Sequence, residues 1–322
     1  MKTKAWIKAF RLRTLPLAIA IIIAGSAVSF IKMDGITCDD CPDEVYSDLT
    51  FITPSLHLFL HILITAFLLQ ILSNLANDYG DFVKGTDDEN RVGPTRALQG
   101  GLISKKEMFR AIVITSILSF ISGIALLLLS FDLDELYLIL SFLLIGILCI
   151  VAAIKYTVGK RAYGYNALGD LAVLIFFGGI GIVGTQFLQS KLITQNGVFC
   201  AIAYGLWSVA VLNLNNMRDV ENDILHKKFT VAYYFGFTKS KIYQAKLILI
   251  PYVFSFLILQ NYMSNFKALI SLSLLPLSLI MVIAIFKVKN REEFDKFLKI
   301  QAILTLLNSI VLFSCIYLLH EM

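Results

Sequence analysis

Two short segments of the chain place asparagine and aspartate at spacings that would bring several side-chain oxygens together. The residues concerned are Asn77, Asp78 and Asp81 in the first segment, and Asn215, Asp219 and Asp223 in the second. In a helix, residues three or four positions apart lie on one face, so each segment would present two neighbouring carboxylates. Neighbouring carboxylates repel each other unless a cation lies between them. The spacing therefore predicts a cation site in each segment.

The chemistry of these ligands indicates which cation to expect. Oxygen-only ligand sets favour hard ions, and Mg²⁺ commonly takes a few carboxylates and completes its shell with phosphate and water. Basic residues of the kind that bind a diphosphate stand nearby in the sequence: Lys84, Arg91, Arg96, Arg218 and Lys227. For either segment alone, solvated charges at a surface would be the simpler interpretation. Two similar segments on the same side of the protein favour a joint Mg²⁺–diphosphate site.

The composition indicates where such a site would lie. Apolar residues make up 57% of the 322 positions and charged residues 16%, whereas about 25% charged is usual in soluble domains. Uncharged apolar runs of at least 18 residues predict membrane-spanning helices, because about 20 residues cross the hydrocarbon core. Nine such runs occur, at 14–31, 49–77, 111–131, 136–154, 171–190, 192–217, 247–266, 268–286 and 300–320. We therefore expect an all-α, polytopic membrane protein with nine transmembrane helices, forming one integral-membrane domain over 1–322.

The basic residues predict the orientation of these helices. The segments that alternate along the chain carry 25 of the 28 Lys and Arg residues on one side and 3 on the other. Basic residues mark the cytoplasmic side, so the N-terminus is predicted inside and the C-terminus outside a bacterial inner membrane. Both aspartate segments then lie at the cytoplasmic ends of spans. No basic patch interleaved with aromatic residues suggests a nucleic-acid partner.

The cysteines do not define a function. Cys38 and Cys41 lie in an acidic loop on the predicted outer side, where C-x-x-C can be a zinc half-site, a redox pair or a disulfide. The sequence has no second C-x-x-C and no nearby His-x-His that would complete a zinc site. A disulfide is favoured in an oxidising compartment, with two idle thiols as the alternative.

At its two aspartate segments the chain resembles the UbiA superfamily of intramembrane prenyltransferases, most strongly its branch that acts on 1,4-dihydroxy-2-naphthoate. Four stretches in the family's order carry the resemblance: 6–17 (WIKAFRLRTLPL), 77–100 (NDYGDFVKGTDDENRVGPTRALQG), 154–170 (IKYTVGKRAYGYNALGD) and 212–223 (LNLNNMRDVEND). Two departures occur. Leu12 stands where many relatives have Pro, and residues 224–230 (ILHKKFT) lack the familiar Gly-Lys-x-Thr-Leu ending, which concerns the role of Lys227.

The resemblance implies nine helices around a central cavity and a reaction at its cytoplasmic mouth. A polyprenyl diphosphate would be bound through Mg²⁺ to the two aspartate pairs, with Asn77 as a further ligand. The diphosphate would leave, and the ring of 1,4-dihydroxy-2-naphthoate would attack the allylic cation with loss of CO₂. The expected diphosphate contacts are Lys84, Arg91, Arg96, Lys155 and Arg218. Tyr156 is expected to line the cation site, and Arg11 either contacts a substrate anion or anchors the chain at the membrane interface.

Two alternatives remain open from the sequence. A related enzyme could act on another acceptor, such as 4-hydroxybenzoate, a chlorophyll precursor or haem. A secondary transporter would also combine many spans with intramembrane acids. Against a transporter, the predicted acids lie at one mouth and not at the middle of the membrane.

Overall fold

A computed structural model of the chain describes residues 2–32, 51–52, 54–87 and 92–321. Within these ranges the protein is almost entirely helical, and a pair of two-residue antiparallel strands, β1 (Ile31–Lys32) and β2 (Phe51–Ile52), is the exception. The α-helices are α1 (Lys2–Phe10), α2 (Leu15–Ala27), α3 (Leu56–Val83), α4 (Lys105–Ser130), α5 (Leu136–Lys155), α6 (Gly169–Val173), α7 (Gly184–Ser190), α8 (Gln195–Leu225), α9 (Val231–Gln260), α10 (Asn265–Ala268), α11 (Leu275–Lys287) and α12 (Phe294–Glu321). A π-helical segment, Leu174–Val183, joins α6 to α7. The predicted all-α class is confirmed.

Eight helical segments of the described ranges are long and apolar enough to cross a membrane, so the polytopic character is also confirmed. They are Leu56–Val83, Lys105–Ser130, Leu136–Lys155, Gly169–Ser190, Gln195–Leu225, Val231–Gln260, Asn265–Lys287 and Arg291–Leu318. The predicted number of nine is wrong by this measure. The run 14–31 forms only the 13-residue helix α2, which starts beside Pro16 and gives way to a turn at Val28. Such a helix is about 20 Å long, against about 30 Å of hydrocarbon.

The short helix α2 nevertheless reaches from one end of the bundle to the other. Before its first turn, the hydroxyl of Thr14 accepts a hydrogen bond from Asn74 in the last third of α3, at 3.3 Å. After its last turn, the carbonyl of Val28 accepts one from Gln186 in α7, at 2.7 Å. The helix is apolar and mostly buried between these ends, where it packs along α12 and the π-helical segment. It is therefore an internal element of the bundle.

Helix α8 is the centre of the bundle, and its neighbours set the depth of the site. It packs against α9, the π-helical segment and α12, while α3 packs against α4 and α5 at the periphery. None of the side chains of α5 is buried. In the π-helical segment, a Cβ at Gly178 would lie 2.3 Å from the carbonyl oxygen of Ala201. The absence of a side chain there lets α8 approach closely.

Both aspartate segments lie in the last turns of long helices that end at the same face of the bundle. Asp78 and Asp81 lie just before the end of α3, and Asp219 and Asp223 just before the end of α8. The end of α8 is joined to the loop after α3, since the Asn222 side-chain amide donates to the carbonyl of Thr86 at 2.6 Å. A second hydrogen bond, from Phe229 N to the Tyr165 carbonyl at 3.0 Å, joins the segment after α8 to the loop between α5 and α6. The first of these hydrogen bonds fixes the ends of α3 and α8 relative to each other.

Candidate active site

The aspartates of α3 are buried and paired with two arginines from distant parts of the sequence. Arg11, between α1 and α2, forms an ion pair with Asp78. The guanidinium of Arg96 lies 2.8 Å from Asp81, 3.1 Å from Asp87 and 3.4 Å from Asp78. Burial lowers the pKa of Arg96, but these three carboxylates outweigh burial and raise its pKa above the usual value. Arg96 therefore stays charged and holds this group of acids together.

Tyr165 completes the surroundings of Asp81. Its hydroxyl donates to Asp81 Oδ1 at 2.7 Å and lies 2.7 Å from the hydroxyl of Thr86. Burial, together with the charge of Asp81, raises the pKa of the phenol, which keeps it protonated as a donor. The ammonium of Lys84 lies 3.6 Å from the centroid of the same ring. Burial lowers the pKa of Lys84, although Asp81 opposes that effect.

The aspartates of α8 have basic partners of their own. Arg218 is fully buried and donates two hydrogen bonds to Asp219, from Nε to Oδ1 and from Nη2 to Oδ2, both at 2.7 Å. Its Nη2 also donates to Asn215 Oδ1 at 2.7 Å, and its Nη1 forms an ion pair with Asp295 at the start of α12. Bidentate pairing of this kind fixes the orientation of a carboxylate. Arg218 thereby links α8 to α12.

Lys228 connects the two groups of acids. It follows α8, is buried, and its ammonium lies 3.3 Å from Asp223 Oδ1. Burial lowers the pKa of Lys228, but Asp223 and Asp81 outweigh burial and raise that pKa well above its usual value. The other oxygen of Asp223, Oδ2, is buried and accepts no hydrogen bond from the part of the chain that the structure describes. A buried carboxylate oxygen without a donor is a free ligand for a cation.

Asp81 is the one of the four aspartates that lines a cavity of about 320 Å³. Asp78 and Asp223 do not line it themselves, but their basic partners Arg11 and Lys228 do. The polar lining of the cavity includes Arg11, Arg13, Asn77, Asp81, Arg96, Asn215, Asn216, Lys228 and Lys299. Its apolar lining includes Leu17, Ile21, Leu69, Phe176, Phe177, Ile180, Val211 and Leu212. A molecule with an anionic head and a long apolar tail matches this division of the lining.

Two tyrosines also contribute to the lining of the cavity. Tyr156 and Tyr163 both line the cavity and pack edge to face, with ring centroids 5.3 Å apart. Burial raises the pKa of Tyr156, and it raises the pKa of Tyr163 to about 12, so both phenols are neutral at physiological pH. A Cβ at Gly169 would lie 2.9 Å from the Tyr156 hydroxyl, and one at Gly164 3.0 Å from its ring. These glycines make room for the Tyr156 ring.

The structure brings most of the predicted site residues together. Asn77 joins the α3 group, since its backbone carbonyl accepts from Arg96 at 3.2 Å and its side-chain oxygen accepts from Thr157 at 3.3 Å. Lys155 does not join it, because its side chain is exposed and does not line the cavity. Arg91, Cys38 and Cys41 lie outside the described residues.

Lys228, Tyr165 and Arg13 were not singled out from the sequence. A signal for Lys228 was present in the stretch Lys227-Lys228-Phe229-Thr230. Lys227 has φ +56°, a left-handed conformation that favours glycine, and its side chain is exposed. It thus occupies the place of the glycine in the Gly-Lys-x-Thr-Leu pattern, and Lys228 occupies the place of the lysine. The departures are then at the glycine, where Lys227 stands, and at the final leucine, where Val231 stands.

The acids at the polar end suit a hard divalent cation by their chemistry. Within the described ranges, no three His, Cys, Asp or Glu side chains converge as a ready metal centre, because the aspartates face basic side chains. The donors are carboxylate and amide oxygens, the type that Mg²⁺ prefers. The unpaired Oδ2 of Asp223 adds an orphaned buried ligand. The residues present therefore fit Mg²⁺.

The fold and the site define a class: a polytopic, all-α membrane protein with paired aspartates at the polar end of a largely apolar cavity. The model of the UbiA prenyltransferase family matches residues 50–308, and the chain belongs to this family. The resemblance noted in the sequence is thereby confirmed. Because this family consists of transferases, the protein is an enzyme and the alternative of a transporter is rejected.

Individual relatives show the same likeness. The chain is 42% identical to the 1,4-dihydroxy-2-naphthoate octaprenyltransferase of Escherichia coli (strain K12), over 77% of this chain and 74% of that protein. It is 41% identical to the enzyme of the same name from Haemophilus influenzae, with the same coverage. Its fold is similar to that of a UbiA homolog from Archaeoglobus fulgidus bound to GPP and Mg²⁺, with a TM-score of 0.63 and 12% identity. That match covers 96% of this chain and 99% of the other.

Proposed function

We propose that the protein transfers a polyprenyl group from polyprenyl diphosphate to 1,4-dihydroxy-2-naphthoate, with loss of CO₂ and diphosphate, to give demethylmenaquinol, the reduced form of demethylmenaquinone. The observation that carries this proposal is the divided cavity, with acids and bases at one end and aliphatic and aromatic side chains along the rest. The names of the bacterial relatives support the identity of both substrates. The structural neighbour bound to GPP and Mg²⁺ supports a diphosphate held through a metal.

The diphosphate head would lie between the two aspartate pairs. Mg²⁺ would be held by Asp78, Asp81, Asp219 and Asp223, with Asn77 as a further ligand. When bound, it neutralises the charge that develops on the departing diphosphate. Arg96 and Lys228 line the same end of the cavity and supply fixed positive charge to the leaving group. Because both are buried, their contribution is greater than it would be in water.

The rest of the lining protects the allylic cation that remains. The aliphatic lining keeps water away from the cation and accommodates the polyprenyl tail. The neutral rings of Tyr156 and Tyr163, which both line the cavity, would stabilise this positive charge. The acceptor ring then attacks the allylic carbon, and its carboxylate leaves as CO₂ with the electron pair returning to the ring.

The proposal is tested by purified protein in lipid nanodiscs with a labelled polyprenyl diphosphate and a panel of aromatic acceptors. Turnover is expected with 1,4-dihydroxy-2-naphthoate, to be abolished by EDTA and restored by Mg²⁺. Changing Asp81 or Asp219 to Ala should lower kcat at least about 10²-fold, since each removes charge stabilisation needed in the transition state. The reaction products are measured by chromatography.

Glu221 provides a matched control for the aspartates. It lies on α8 between Asp219 and Asp223, but its side chain is exposed and pairs with Arg291. Glu221→Ala should therefore leave turnover nearly unchanged. Turnover with 4-hydroxybenzoate and none with 1,4-dihydroxy-2-naphthoate would replace the proposed acceptor. Wild-type rates for both aspartate variants, or no effect of EDTA, would refute the Mg²⁺–diphosphate site.

We also propose that residues 1–322 form one domain of a bacterial inner membrane with the aspartates facing the cytoplasm. The distribution of basic residues supports this orientation. Although α2 is short, its flanking residues contact both ends of the bundle, which supports a ninth crossing of the membrane by α2. With nine crossings, the N-terminus lies in the cytoplasm and the C-terminus outside.

A further inference from the structure

One basic side chain of the cavity differs from the others in having no acidic partner. Among the described residues, five basic side chains line the cavity, and four of them pair with carboxylates: Arg11 with Asp78, Arg13 with Asp295, Arg96 with Asp81, and Lys228 with Asp223. The fifth is Lys299, which forms no ion pair with any described residue. Its positive charge is therefore available to an anion that enters the cavity.

The position of Lys299 follows from helix α12. Lys299 lies four residues after Asp295, so the two side chains project from the same face of the helix. Asp295 in turn pairs with the buried Arg218 and, at 3.5 Å, with Arg13. Lys299 and Arg13 thus lie on the α12 side of the cavity mouth, next to the partner of Asp219.

The α12 side of the mouth carries more cations than carboxylates. Three cations face two carboxylates there among the described residues, namely Arg13, Arg218 and Lys299 against Asp219 and Asp295. The α12 side therefore attracts an additional anion.

We propose that Lys299, together with Arg13, binds the carboxylate of the aromatic acceptor. This inference rests on the proposed function, which gives the acceptor a carboxylate. A carboxylate in the aliphatic part of the cavity would lose its hydration without compensation, so it must stay at the polar mouth. Of the cations that line the cavity, Lys299 is the one that forms no ion pair with a described residue. Lys299 is also exposed, so it can meet an acceptor that arrives from water.

The contact is expected to act in binding and not in the chemical step. An ion pair that is made equally in the bound substrate and in the transition state lowers KM without changing kcat. The carboxylate leaves as CO₂, so a tighter contact in the transition state would oppose that loss. Removing Lys299 should therefore raise KM for the acceptor and leave both kcat and KM for polyprenyl diphosphate unchanged.

Two competitive inhibitors that differ only in the carboxylate test this assignment: 1-hydroxy-2-naphthoate and 1-naphthol. With the full-length protein in nanodiscs, Lys299→Ala should weaken inhibition by the naphthoate about tenfold and leave inhibition by naphthol unchanged. Lys299→Arg should restore most of the difference, and Lys299→Glu should enlarge it. Lys296→Ala is the matched control, because Lys296 precedes Lys299 by one turn of α12 but pairs with Glu293 and does not line the cavity.

The outcomes separate this inference from the proposed function. Equal weakening of both inhibitors by Lys299→Ala, or a rise in KM for polyprenyl diphosphate in its place, would overturn the assignment while the enzyme still prenylates 1,4-dihydroxy-2-naphthoate. Failure of the wild-type protein to prenylate that acceptor would instead overturn the proposed function. Because Lys299 is exposed, its variants should retain the thermal stability of the wild type, which is measured alongside.

Discussion

Lys227 and Lys228 are adjacent in the sequence and opposite in environment. Lys227 is exposed and has a left-handed backbone conformation, whereas Lys228 is buried 3.3 Å from Asp223. Of these two lysines, one therefore occupies a backbone position that favours glycine, and the other belongs to the candidate site. At the residue scale, the backbone conformation of one lysine is what directs the other into the cavity.

Single substitutions distinguish these two roles. Lys228→Ala should lower kcat/KM for polyprenyl diphosphate by about 10²-fold, because it removes a buried cation beside the leaving group and leaves Asp223 without its partner. Lys227→Gly should retain wild-type kinetics, and relief of the left-handed strain should raise the free energy of unfolding by up to about 1 kcal/mol. Steady-state kinetics and thermal unfolding in nanodiscs measure both effects. Comparable losses of activity in the two variants would contradict the assignment.

Three elements bring Tyr156 into the cavity lining: the end of α5, the loop that follows it and the start of α6. Tyr156 follows the last residue of α5, and its ring is bounded by Gly164 in the following loop and by Gly169 at the start of α6. The backbone carbonyl of Tyr156 also accepts from Gly164 N at 3.0 Å. The close approach of α6 to Tyr156 therefore depends on a residue without a side chain.

A methyl group at Gly169 tests this dependence. Gly169→Ala places Cβ 2.9 Å from the Tyr156 hydroxyl, so the ring must move and kcat should fall by about tenfold. Combining it with Tyr156→Phe removes the atom that clashes, and the double variant should then match Tyr156→Phe alone. Gly179→Ala, in the same span but with open space around its Cβ, is the control. Additive losses in the double variant would show that Gly169 acts on something other than Tyr156.

At the scale of the whole molecule, every described site residue lies at one end of the bundle. The helix ends of α3 and α8, the segment before α2 and the start of α12 all converge there. The opposite end holds the contacts of Val28 with Gln186 and of Phe30 with Tyr262, whose hydroxyl donates to the Phe30 carbonyl at 3.3 Å. The chain therefore passes from the site end to the opposite end within α2 and its flanking turns.

A topology reporter tests the crossing by α2. A periplasmic reporter fused after Met322 should be active, and a cytoplasmic reporter at the same place inactive, because nine crossings put the two termini on opposite sides. A fusion within 33–50 should report the outer side as well, and Cys38 and Cys41 should react with a non-permeant thiol reagent on intact cells only after reduction. Cytoplasmic activity at Met322 would show that α2 does not cross.

The sequence by itself determined the membrane class and the helical architecture, and it predicted the acids of the candidate site. These properties follow from local information: an uncharged run predicts a span, and carboxylates three or four residues apart share a helix face. It overestimated the number of long spans because hydropathy does not register the turn at Val28 that ends α2. It also placed Lys155 in the site, because a position next to a motif residue does not reveal the direction of a side chain.

The tertiary structure alone decided which charges meet. Arg11 and Asp78 are 67 residues apart, and Arg218 and Asp295 are 77 apart. The spacing within one helix cannot show such pairs, because they depend on how separate helix ends pack. The same packing leaves Lys299 without an acidic partner among the described residues, although the sequence gives it an aspartate four positions away. Side-chain direction and burial depend on the assembled bundle, and they decide which charged residues are paired and which one stays available to a ligand.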